Sequence, residues 1–206
     1  GIMKRFIIIV SILVAIYFFG DYAYYHLGWY IDLNPNKPVT TFVKTEGMEF
    51  RILKDGQWED FEIKGVNIGS GEPGQWSTDF DIDEESYYRW FGYIQEMGAN
   101  TIRVYSIQAD KFYNAFYAYN QGREEPLYLI HGVWVNDYVQ NSHMDAYDER
   151  FFDTLFEDCR TLVDVIHGNR KISIGRYASA GSGTYKYDIS PWVIGYILGV
   201  EWEDVT

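Results

Sequence analysis

Pro191-Trp192-Val193-Ile194-Gly195-Tyr196-Ile197-Leu198-Gly199-Val200-Glu201-Trp202-Glu203 is the stretch that decides the fold. Its apolar and β-branched run, opened by Ser190-Pro191, has the composition of a strand buried on both faces, as in a parallel sheet. It delivers a carboxylate, Glu201, at its end, beside Trp202 and a second carboxylate, Glu203. Acid next to a large ring is what sugar chemistry asks for, because the carboxyl group protonates a leaving oxygen and an indole face supports a pyranose. A buried strand followed by a solvated acidic loop has the same composition, so the neighbouring segments must decide.

Working outward, strand and helix patterns alternate. Lys64-Gly65-Val66-Asn67-Ile68-Gly69 is a first strand, and Asp83 caps a helix through Met97 whose apolar positions Tyr87, Trp90, Phe91 and Ile94 recur at helical spacing before Gly98 stops it. Residues 100–105 form a second strand, 109–120 a helix, 126–134 a third strand, and 147–166 a long helix closed by His167-Gly168-Asn169. The Gly- and Ser-rich residues 170–187 read as an irregular excursion. Four alternations predict a parallel sheet with helices outside. Ahead of it, residues 49–53 and 58–63 form a hairpin around Asp55-Gly56, read as a two-stranded lid. The Gly69-Ser70-Gly71 loop lacks a G-x-G-x-x-G pattern and a following Lys-Ser/Thr, which argues against phosphate binding.

Polar or aromatic residues stand at the end of each strand: Asn67, Arg103 with Tyr105, His131 with Trp134, and Glu201 with Trp202. A (β/α)8 TIM barrel gathers such ends into one site, so the expected fold is α/β, the first four βα units of a barrel. Lys64-Gly65-Val66-Asn67, Met97-Gly98-Ala99-Asn100-Thr101-Ile102-Arg103-Val104-Tyr105, Leu129-Ile130-His131-Gly132 and Gly195-Tyr196-Ile197-Leu198-Gly199-Val200-Glu201 together resemble the first four strands of clan A glycoside hydrolases, in particular family 2, family 5 and the glucanosyltransferase type. The resemblance implies that Glu201 is the acid/base, that Arg103 orients the nucleophilic carboxylate, and that His131 lines the same site. Tyr105, Trp134 and Trp202 become sugar platforms, with Asn67 and Glu203 beside them. Arg103 as a salt-bridged structural residue and His131 as a satisfied core histidine are the competing readings. The clan usually has Asn before the acid/base, where this chain has Val200, and its nucleophile lies on a seventh strand, expected beyond Thr206.

Composition bounds the partners. With 17 Lys and Arg against 30 Asp and Glu, the net charge of -13 argues against nucleic acid. Aromatic residues make up 19%, enough to furnish both a core and a carbohydrate cleft. The single cysteine, Cys159, rules out an internal disulfide, the histidines lack ligand spacing, and neither metal nor cofactor is expected.

At the N-terminus, Lys4-Arg5 precede fourteen largely apolar residues, 6–19, and rings continue to Tyr30. This favours an uncleaved signal anchor through residues 6–31 over a cleaved signal peptide or a buried core helix. The expected layout is an anchor and juxtamembrane segment at 1–33, a linker at 34–47 and the barrel half at 48–206. The expected function is a membrane-anchored, extracytoplasmic retaining glycosidase or transglycosylase acting on a β-linked carbohydrate polymer. The alternative is a non-catalytic glycan-binding component, homodimeric if the chain is complete.

Overall fold

The computed structural model describes residues 1–36, 41–134, 149–175 and 180–198. The chain begins with helix α1 (Ile2–His26), the one described helix long and apolar enough to cross a membrane. Its 25 residues rise roughly 37 Å, more than the hydrocarbon core of a bilayer. Ala23 is its only buried residue, so its apolar side chains face outward all round.

Three antiparallel strands follow, β1 (Val43–Glu46), β2 (Glu49–Lys54) and β3 (Gln57–Asp60). The turn between β2 and β3 holds Asp55 and Gly56 at φ of 48° and 77°, the left-handed pair that a two-residue hairpin requires. β1 is built from residues read as linker. Its sequence, Val-Lys-Thr-Glu, carries little strand signal and becomes a strand by pairing with β2.

The second sheet is parallel, in the order β4 (Gly65–Asn67), β5 (Thr101–Val104), β6 (Tyr128–Val133) and β9 (Val193–Leu198). Helices α2 (Glu84–Glu96), α3 (Asp110–Asn120) and α4 (Glu149–Ile166) occupy the crossovers. Asp83 caps α2 by accepting from the Ser86 N–H at 2.7 Å, and Gly98 at φ 88° ends it. Between α4 and β9 a short pair, β7 (Arg170–Ile172) with β8 (Gly183–Tyr185), replaces the expected irregular excursion. The sheet is mixed with helices as expected; four strands stand side by side, and no closed barrel is present among the described residues.

One face of the parallel sheet packs on the helices. Ile102, Val104, Leu129 and Val133 meet Tyr87 and Phe91 of α2 and Phe112 and Phe116 of α3 in one buried cluster. Phe91 meets Phe112 and Phe116 edge to face, each at 5.7 Å, the geometry the ring quadrupoles favour. The opposite face carries Tyr128, Ile130 and Ile194, which pack against Ile52, Phe42, Phe50 and Phe61 of the antiparallel sheet and its flanks. Tyr128 opens β6, so the antiparallel sheet seals the strands' N-terminal end. It is a three-stranded floor, where a two-stranded lid leading into the first parallel strand was expected.

β9 also departs from expectation. Ser190–Trp192 form a 3-10 turn before the strand, Val193 and Ile194 are buried, but Tyr196 and Leu198 are exposed. Among the described residues β9 pairs with β6 alone and so forms an edge, and only its first residues are buried.

Candidate functional site at the strand ends

The cleft is built where β4, β5 and β6 end. Val66, Ile102 and Val104 turn toward the helices, so alternation places Asn67 and Arg103 on the other face. They are register partners and therefore stand side by side. The Arg103 guanidinium lies over the Tyr105 ring, 4.5 Å from its centroid, and its buried Nε has no hydrogen-bond partner. Such a cation retains unspent donor capacity for a planar anion.

Beyond the strand ends lies a cavity of about 340 Å³, walled by Ile68, Ser70, Tyr105, Ser106, Gln108 and Trp134, among others. Three local features shape it. Ser70 donates to the Ser77 carbonyl and closes the Gly-rich loop, in which Gly71 is required because a Cβ would sit 2.7 Å from the Trp76 carbonyl oxygen. Gly132 lets the Tyr105 backbone cross β6, since a Cβ there would meet the Tyr105 oxygen at 2.7 Å. Gln108 is pinned through its backbone: its N–H donates to the Tyr113 hydroxyl at 3.0 Å, and its carbonyl accepts from Tyr185 at 2.7 Å.

Gln108 did not stand out in the sequence. Its side chain is 2% exposed, Nε2 donates to the Ser106 carbonyl, and Oε1 has no partner. A buried, unmatched amide oxygen is costly until something donates to it. No sequence pattern marks it, because the orphaned oxygen arises from where the β8 segment pins the loop.

At the strand ends Asn67 thus stands beside Arg103, Arg103 lies over Tyr105, and Tyr105 shares the cavity wall with Trp134. His131 does not join them. It shares the helix-facing side of β6 with Leu129 and Val133 and is fully buried. Its Nδ1 lies 2.9 Å from the Gly132 carbonyl, which only accepts, so Nδ1 carries the proton; Nε2 then accepts from the Tyr113 hydroxyl at 2.7 Å. Burial pulls its pKa down to about 4, the Gly132 bond opposing, so the ring is neutral at pH 7. Both nitrogens are committed, and His131 is a core residue that does not line the cleft. One spacing could have shown this: residues 131 and 134 lie an odd number apart along a strand and project to opposite faces.

Glu201, Trp202 and Glu203 lie outside the described residues. Among the described residues no three His, Cys, Asp or Glu side chains gather as metal ligands. Cys159 is half-buried beside the core, and burial pushes its thiol pKa up, so it is a poor nucleophile.

Fold and cleft define a mixed α/β protein with an N-terminal apolar helix and a polar, aromatic-walled cavity at the C-terminal ends of a parallel sheet. No family model, curated protein or solved structure matches the chain.

Proposed function

We propose that the chain contributes the first four βα units of a glycosidase-type (β/α)8 barrel, tethered by α1 as a signal anchor, and that it acts outside the cell on a β-linked polysaccharide by a retaining mechanism. The observation that carries this reading is what gathers at the C-terminal ends of the parallel strands: Asn67 beside Arg103, Arg103 over Tyr105, and a cavity walled by Tyr105 and Trp134 that holds the unmatched amide oxygen of Gln108. Sugar recognition uses this combination of ring faces and fixed polar groups. Arg103 holds a carboxylate ionised, Gln108 Oε1 accepts from a sugar hydroxyl, and Tyr105 and Trp134 support the ring.

Glu201 supplies the general acid in this reading. Ile197, near the end of the described strand, is paired in register with Gly132 on the cleft side of β6. Replacing Glu201 by Gln in the complete protein is expected to abolish turnover of β-glucan oligosaccharides while binding and fold persist. Undiminished turnover removes Glu201 from the role.

Among the described residues the cavity wall carries hydroxyl, amide and aromatic groups and no carboxylate. That favours, as the second reading, a glycan-binding component without catalysis, whose exposed β9 edge pairs with a second copy. Binding without turnover, lost on Trp134→Ala, would select it.

A further inference from the structure

The anchor is joined to the domain through a built contact. Gly28, at φ 67°, ends α1, and the Trp29 N–H reaches back to the Ala23 carbonyl at 3.0 Å. The chain thereby doubles back, setting the Trp29 ring against Phe19 at 6.5 Å. Tyr24 donates to the Gly168 carbonyl, and Arg170 Nη1 donates to the His26 carbonyl, each at 3.3 Å. A Cβ on Gly28 would sit 2.9 Å from the Asp164 carboxylate, which would have to shift, and the positive φ of the turn itself favours glycine.

This contact encloses a cavity of about 480 Å³ between anchor and domain, walled by Tyr24, Tyr30 and Ile31 on one side and by Asp164, His167 and Asn169 on the other. Its polar wall offers acceptors. Asn169 is 5% exposed, and its Oδ1 is buried without a hydrogen-bond partner. The Asp164 carboxylate is held by Arg170 at 3.3 Å, which leaves further lone pairs. Of the donors, the Tyr24 proton goes to Gly168 and His167 Nδ1 faces Asp188 at 3.6 Å, while the Asn169 amide nitrogen and the Tyr30 hydroxyl remain as donors at the wall. Two tyrosine rings add negative π faces that attract cations. Acceptors and ring faces together call for a hydrogen-donating cation. The source is indicated by the rim: Trp29, Tyr30, Ile31 and Leu33 are all exposed at the end of an apolar helix, as rings and aliphatics at a membrane-water interface are.

We propose that this cavity binds a primary ammonium group, presented by the aminoethyl headgroup of a phospholipid in the leaflet where α1 exits. The inference rests on α1 lying in a bilayer. The site fixes the domain against the membrane through Asp164, Asn169 and the two tyrosines.

The test uses the full chain in nanodiscs of phosphatidylcholine mixed with phosphatidylethanolamine or with anionic phosphatidylglycerol, and counts the lipids retained by native mass spectrometry. The protein should retain phosphatidylethanolamine over the other two by about fivefold, the scale of one desolvated cation–π contact. Asn169→Leu should bring retention to parity. Tyr30→Ala, a change at an exposed residue that leaves the fold alone, should lower it as well. Equal retention of all three lipids by the unaltered protein overturns the site while leaving the anchor intact. Failure of the chain to float with vesicles overturns the anchor reading and the site with it. Competition by soluble phosphoethanolamine at equal concentration overturns the lipid source in favour of a free amine.

Discussion

His131 is the sharpest point at which chemistry and core diverge. Replacing it with Phe keeps a ring stacked on Tyr113, which now lies 5.9 Å away and nearly parallel, but removes the acceptor for the Tyr113 hydroxyl. At pH 7 the orphaned hydroxyl should cost about 1–3 kcal/mol. The pH dependence should run the other way. The folded pKa of about 4 lies below the ordinary histidine value of 6.5, so folding favours the neutral ring. That contribution is complete above pH 6.5 and is lost as pH falls toward 4, a change of roughly 3 kcal/mol for this fully buried group. The variant has no such proton to take up. Urea unfolding followed by tryptophan fluorescence, in identical micelles between pH 7.5 and 4, should therefore show the Phe variant weaker at neutral pH and level with or above the parent near pH 4. Carboxylates and the other three of the four histidines are common to both proteins and cancel in the difference. A gap independent of pH would refute the buried, neutral, Nδ1-protonated histidine.

Three further outcomes follow from the packing and the cleft. Arg103→Lys replaces a planar fork by a point charge; under the proposed glycan-binding function, affinity read by calorimetry should fall about tenfold while the melting temperature hardly moves. Gly132→Ala drives a methyl into the Tyr105 carbonyl and should cost about 1–3 kcal/mol in chemical denaturation; a neutral result would mean that the two strand ends lie farther apart than described. Phe112→Ala opens the aromatic cluster between α2 and α3 and should cost about 3–5 kcal/mol, with a similar effect expected at Phe91.

Much of the architecture was legible from local chemistry. The Asp83 cap and Gly98 set the ends of α2, Asp55-Gly56 made the hairpin, and the apolar runs marked each parallel strand. The positions of Asn67, Arg103 and Tyr105 at or just past strand ends were legible for the same reason, since a strand end is visible in sequence. Gln108 was not, because its orphaned oxygen depends on Tyr113 and Tyr185, five and 77 residues away.

Alone, then, the sequence determined the helices, the parallel strands and the hairpin turn, because caps, positive-φ turns and periodicity act within a few residues; β1, β7 and β8 became strands only through pairing. Tertiary structure alone decided which way each face points. It turned His131 toward Tyr113 on α3, made the antiparallel sheet a floor under Tyr128, left Tyr196 and Leu198 exposed on an edge, and locked the end of α1 against Asp164 and Arg170. Each of these is a choice between alternatives equal in local energy, settled only by which distant surface covers the residue.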